Sequence, residues 1–176
     1  MPAGLPAADE YFDFYAGYVR MVPETDPVPA MEAQGGITQS LLSGVSEERS
    51  LHRYAPGKWS IREVVGHLGD TERIMAYRAL RIARGDAKPL QGFEENEYVR
   101  NASFDRRSLA DLLAELADIR RTSLALFRGL EEACWNRRGT ASGHEISVRA
   151  LAFIIPGHER HHVRVLQDRY GIGGNR

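Results

Sequence analysis

The stretch Ser60-Ile-Arg-Glu-Val-Val-Gly-His-Leu-Gly-Asp-Thr-Glu-Arg-Ile-Met-Ala-Tyr-Arg-Ala-Leu-Arg-Ile-Ala-Arg84 reads as one long amphipathic helix. Ile61, Val64, Val65, Leu68, Met75, Ala79, Ile82 and Ala83 recur at helical spacing and form a single apolar stripe. Ser60 is placed to cap its N-terminus, with Glu63 three residues on in the capping-box position. Gly85 is placed to stop it. Two residues do not fit the stripe as plain core. His67 sits at its border, and Glu72 lies inside it, where a carboxylate must be paired, hydrogen-bonded or shifted in pKa. Arg120, which interrupts the stripe of a later helix, is the natural partner for Glu72. A role for Glu72 in supporting a site is the alternative.

The same periodicity extends outward in both directions. Tyr11, Phe12, Tyr15, Tyr18, Val19 and Val22 predict a helix over residues 8–21, stopped by Pro23-Glu-Thr-Asp-Pro-Val-Pro29. A second helix is expected from about Ala30 to Leu42, weakened by Gly35-Gly36. Between Pro89 and Phe104 lies a connection with room for one short helix. Ser108, with Asp111 at N3, opens a long helix whose stripe is Leu109, Leu112, Leu113, Leu116, Ile119, Ser123, Phe127 and Leu130. Residues 136–146 read as a polar loop; a small hairpin is the alternative, and no sheet is expected. Ser147 caps a last helix to about Tyr170. Pro156 inside it predicts a bend one turn before His158. The tail from Gly171 is expected to fray. Long amphipathic segments without a convincing strand predict an all-α helical bundle in one domain. Residues 1–29 supply an N-terminal helix and Pro-rich linker to the bundle of 30–176.

Composition excludes several function classes. Of 176 residues, 23 are Lys or Arg and 24 are Asp or Glu, a net charge of −1. That balance lacks the basic excess of a dedicated nucleic-acid binder. No apolar run is long enough for a transmembrane helix. Met1-Pro-Ala-Gly-Leu-Pro6 has no secretory pattern, so a cytoplasmic location is expected. The one cysteine, Cys134, cannot make an internal disulfide or a thiolate cluster, and beside Trp135 it reads as a small buried hydrophobe. No Gly-x-Ser-x-Gly, P-loop or Gly-x-Gly-x-x-Gly motif occurs.

Six histidines remain. His158 and His162 are i, i+4 in Gly157-His-Glu-Arg-His-His-Val163, about 40° apart on a helix and on its core-facing side. Two imidazoles so spaced can reach one divalent ion. Two satisfied core histidines are the other reading. Glu159 falls about 100° off that face. His161 flanks the pair or lies exposed. If His67 joined them from the other helix, coordination positions would stay open for water or substrate. Trp59 reads as packing against the start of its helix. His52 and His144 read as loop residues, and Asp70 as solvated.

Three runs then resemble one family in order. They are Tyr54-Ala-Pro-Gly-Lys-Trp-Ser-Ile-Arg-Glu-Val-Val-Gly-His-Leu-Gly-Asp-Thr-Glu-Arg73, Gly92-Phe-Glu-Glu-Asn-Glu-Tyr98 and Gly157-His-Glu-Arg-His-His-Val-Arg-Val-Leu166. Together they resemble the DinB-like superfamily over about residues 30–170. The resemblance implies a four-helix bundle of up-down-down-up type, often a homodimer. It implies a divalent metal, zinc or nickel, held by His67, His158 and His162. Some members are similar to transferases that use the low-molecular-weight thiol bacillithiol. Relatives include mycothiol-dependent enzymes such as maleylpyruvate isomerase, and other members are called metal-dependent hydrolases. No motif for the thiol itself is present, and no protein side chain is assigned as catalytic. The expected partner is a small-molecule substrate, with neither nucleic acid nor membrane. A metal-dependent thiol S-transferase, a metal-dependent hydrolase and a non-catalytic metal-binding bundle are the three readings left.

Overall fold

The computed structural model describes residues 4–173. Its order is two 3-10 turns (Ala8–Glu10 and Asp13–Tyr15), α1 (Ala16–Arg20), α2 (Pro27–Leu42), α3 (Glu47–Ser50), α4 (Ile61–Ala83), α5 (Glu95–Ala102), a 3-10 turn (Phe104–Arg106), α6 (Leu109–Arg128), α7 (Glu132–Trp135), β1 (Arg138–Ala141), β2 (His144–Ser147) and α8 (Val148–Tyr170). The four long helices α2, α4, α6 and α8 form the expected four-helix bundle. α4 and α2 each pack against both α6 and α8.

Local chemistry sets the helix starts. The Glu63 amide donates to Ser60 Oγ at 3.0 Å, and the Ser60 amide donates to Glu63 Oε2 at 2.8 Å, which completes the capping box. Ser108 Oγ accepts from the Asp111 amide at 3.1 Å, and Ser147 Oγ from the Ala150 amide at 2.9 Å. Pro27 opens α2 at its first position, where a missing N–H costs nothing, and Asp26 caps it. α8 is continuous through Pro156, although the Ala152 carbonyl receives no bond from it.

Three expectations are corrected. Residues 8–21 are not one helix but two 3-10 turns and the short α1. Glu10 explains this: its buried carboxylate accepts from the Ala7 amide, Ser147 Oγ and Arg149, and those contacts pin the chain in a wrap around α8. The 136–146 region is an antiparallel hairpin, with Ala141 opposite His144 around Ser142-Gly143. Both turn residues have positive φ, 51° and 81°, the geometry of a type I′ turn. The tail does not fray through residue 173. Gly171 ends α8 at φ +64°, the Ile172 amide bonds the Leu166 carbonyl, and Ile172 is buried.

The core has two apolar halves. One holds Met31, Met75, Ile82, Phe127, Leu151 and Ile154. The other holds Leu42, Ile61, Leu68, Leu112, Leu116 and Leu166. Between them every bundle helix contributes polar residues. Arg120 of α6 donates to Glu72 of α4 through Nε at 2.9 Å and Nη2 at 2.8 Å, and to Glu159 of α8 at 2.5 Å. Thr38 of α2 donates to Glu159 at 2.5 Å, and Arg120 also reaches the Met31 carbonyl. The expected Glu72–Arg120 pair is thus part of a buried network that ties α4 to α8. Those two helices carry the histidines.

Candidate metal centre

His67 faces inward from α4, five residues before Glu72, and His158 and His162 face it from α8. His67 Nε2 lies 3.0 Å from His158 Nε2, and His162 Nε2 lies 3.1 Å from the same atom. All three ligand nitrogens fall within 4.8 Å of one another. His161 stays outside this group, its ring 5.1 Å from that of His162.

The donor set fits a metal ion. A single ring nitrogen offers either one lone pair or one N–H, so His158 Nε2 cannot serve two imidazole neighbours well. One cation at the centre would satisfy all three. Nitrogens around a tetrahedral zinc stand about 3.3 Å apart, a few tenths of an ångström from the separations seen here. Burial keeps the rings neutral and their lone pairs available. It lowers the His67 pKa to about 4. His158 and His162 are held well below the usual imidazole value, by burial first and then by the neighbouring histidines.

These shifts give a pH dependence. From the ordinary imidazole value of 6.5 down to about 4, the unfolded chain takes up a proton that folded His67 refuses. The unfolded state then binds more protons, so stability is present above 6.5 and declines as pH falls through that window. For His67 alone the slope approaches roughly 1.4 kcal/mol per pH unit. Thermal unfolding of metal-free protein between pH 7 and about 4 should show this loss, and His67→Gln should make it shallower while His158 and His162 keep the rest. Equal slopes in the two proteins would contradict the assignment.

Several neighbours escaped sequence reasoning. Trp59 packs against the apolar half that holds Ile61 and Val64 of its own helix and also reaches the histidines, its ring 4.7 Å from His67 and 6.3 Å from His162, nearly parallel to the latter at 21°. Tyr18 of α1 meets His158 edge-on at 5.3 Å. Thr71 Oγ1 stands 3.5 Å from His67 Nδ1. Glu95, at the start of α5, places Oε2 4.0 Å from His67 Nε2, and its pKa is raised by burial and by Glu94. Glu95 belongs to the Gly92–Tyr98 run, which marks the family but says nothing of geometry. His144 is exposed as expected, yet its ring stacks on Phe12 at 3.6 Å. Asp70 is half-buried rather than fully solvated and lies 3.6 Å from Arg73.

Two concave spaces adjoin the cluster. One of about 310 Å³ reaches His158 and is walled by Phe12, Phe14, Tyr15, Tyr18 and Phe93. Another of about 350 Å³ reaches His162 beside Trp59, His161 and Tyr170. Glu95 lines both.

Residues 30–166 match the model of the DinB superfamily. The chain belongs to the DinB superfamily. A relative from Geobacillus kaustophilus (strain HTA426), named "Putative metal-dependent hydrolase GK0616", is 25% identical over 138 residues, 76% of this chain and 78% of its own length. Among solved structures, YfiT from Bacillus subtilis superposes with a TM-score of 0.74 at 16% identity, over 96% of this chain and 94% of its own. That protein is described as a probable metal-dependent hydrolase with an unusual four-helix bundle topology. The mycothiol-dependent maleylpyruvate isomerase gives 0.66 at 14% identity, over 85% of this chain and 61% of its own. The DinB-like protein YjoA from Bacillus subtilis gives 0.60 at 21% identity, over 82% and 89%. These structures share the DinB fold with this chain. No helix among the described residues is long and apolar enough to cross a membrane.

Proposed function

We propose that His67, His158 and His162 hold one divalent ion, zinc or nickel, and that the chain joins a low-molecular-weight thiol to an electrophilic small molecule. The observation that carries this reading is the pair of cavities, one reaching His158 and the other His162, which offers room for two different reactants at one centre. A bound divalent ion would lower the pKa of a thiol there and so supply a nucleophile at neutral pH.

The chain's own residues do the rest. Thr71 beside Nδ1 favours the His67 tautomer that leaves Nε2 free. Trp59 covers two of the rings and limits water. Glu95 stands where it can take the thiol proton as the thiolate forms, before the sulfur–carbon bond is made and the leaving group departs. No protein thiol is required. Cys134 is buried in the apolar core, away from the histidines.

Hydrolysis is the second reading. Glu159 is committed to Arg120 and Thr38 and supplies no base. Glu95 meets the need for a base that neither Glu159 nor Asp70 fills, and the names of the Geobacillus relative and YfiT point the same way. The deciding experiment is turnover of a generic electrophile with bacillithiol, mycothiol, glutathione or cysteine, with and without zinc or nickel. The transferase reading expects product only when both a thiol and a metal are present. Metal-dependent product in buffer alone, unstimulated by any thiol, would favour hydrolysis instead.

A further inference from the structure

We infer that Arg78 and Ser142 form an anion-binding wall of the cavity beside His158, and that the molecule held there carries an anionic oxygen group, a carboxylate or a phosphate, on an apolar body. The inference rests on reading this cavity as the substrate's. It adds the charge of that substrate.

Three arginines among the described residues are buried, with exposures of 9% for Arg62, 1% for Arg78 and 6% for Arg120. Arg62 is neutralised by Glu47, and Arg120 by Glu72 and Glu159. Arg78, the most buried, has no carboxylate within ion-pair distance among the described residues. Its Nη2 donates to the Gln91 carbonyl at 2.8 Å and to Ser142 Oγ at 2.9 Å; Nη1 meets Met75 Sδ at 3.9 Å. The Phe93 ring lies 5.9 Å away. All these partners are uncharged. A buried cation is ordinarily offset by a counter-charge, and here the described residues supply none.

Met75, Phe93 and Ser142 line the same cavity as His158. Arg78 therefore stands directly behind the wall. Ser142 carries its influence through. Because Ser142 Oγ accepts from the guanidinium, its own O–H remains to donate, and no acceptor takes it among the described residues. A hydroxyl polarised by a cation in this way is a good donor to an anion. Ser142 also occupies the left-handed region at φ 51°, in a turn where Asn or Gly is usual. The strained position keeps a hydroxyl that those residues lack. Glu94 and Glu95 line the cavity too, but Glu94 is exposed and already accepts from the Glu97 amide, and the Glu95 side chain is 52% exposed. Solvent screens exposed charges more than a buried guanidinium.

The test titrates phenylacetate, phenyl phosphate, benzyl alcohol and benzylamine into the full chain, metal-free and zinc-loaded, by calorimetry. In metal-free protein at least one anion should bind about tenfold more tightly than the alcohol, the size of one charge-assisted hydrogen bond, and the amine should bind most weakly. The better anion identifies the group. Arg78→Gln and Ser142→Ala should each level the series while zinc affinity stays unchanged. Should Arg78→Gln fail to fold, the wild-type series and Ser142→Ala decide alone. Alcohol or amine binding as tightly as both anions would overturn the inference. So would an anion preference seen only with zinc, or one that survives Ser142→Ala. Failure of the wild-type chain to take up zinc would instead count against the proposed function and leave the metal-free series readable.

Discussion

Arg120→Met should destabilise the protein by about 3–5 kcal/mol, the cost of breaking a buried ion pair by removing one partner. The substitution keeps much of the side-chain volume but leaves Glu72 and Glu159, each 3% exposed or less, with no cation between them. It also removes the guanidinium's bonds to the Met31 carbonyl and to both carboxylates, leaving Glu159 only Thr38, so α2, α4, α6 and α8 lose their common tie. A domain of ordinary stability has about 5–15 kcal/mol in total, so the variant should be marginal at 37 °C. Chemical denaturation of wild type and variant measures the difference. Adding Glu72→Leu and Glu159→Leu should recover part of it, because an apolar replacement of the whole network leaves no orphan charge. A loss below about 1 kcal/mol, the scale of an exposed pair, would mean that water reaches the network.

Gly157→Ala should act on both stability and substrate binding. A Cβ on Gly157 would meet the Tyr18 carbonyl oxygen at 2.1 Å and its carbon at 2.7 Å, and backbone atoms cannot yield as a flexible side chain does. Overpacking of this kind costs about 1–3 kcal/mol, or it drives α1 off α8. Tyr18 would then leave His158 and the wall of the 310 Å³ cavity. We expect a lower Tm, a raised KM for the molecule bound there, and metal affinity within about threefold of wild type, since no ligand moves with α1. Gly36→Ala is the control. It has open space around it in α2 and should be neutral or gain up to about 1 kcal/mol. Equal behaviour of the two variants would show that α1 does not sit where the structure puts it.

What could be read from the sequence was mostly local. Ser60 with Glu63, Ser108 with Asp111, and Ser147 mark helix starts because a cap involves only three or four neighbouring residues. His158 and His162 were legible because i, i+4 spacing fixes a shared face, and Glu72 with Arg120 because each is a charge within an apolar stripe. His67, at a stripe's border, was only a candidate third partner for that pair, and the family resemblance assigned it the proposed metal-facing role. The missing features depend on contacts distant in sequence. Glu95 and Trp59 sit in connections whose paths are set by packing, and neither carries a periodic signal. The aromatic residues of 8–21 repeat at helical spacing, yet they wall a cavity, because Glu10 is anchored to Ser147 and Arg149 far along the chain. The hairpin was obscured by Ser142, an uncommon residue at a left-handed turn position.

Three imidazoles from two helices are proposed to bind one ion. The most direct test is the metal content of purified wild-type chain and of the His158→Ala, His162→Ala double variant, measured by mass spectrometry after exposure to zinc or nickel and gel filtration. Circular dichroism confirms that both are folded. One equivalent of metal per wild-type chain is expected, and none retained by the folded double variant. Equal metal in both, or none in the wild type, would contradict the proposal.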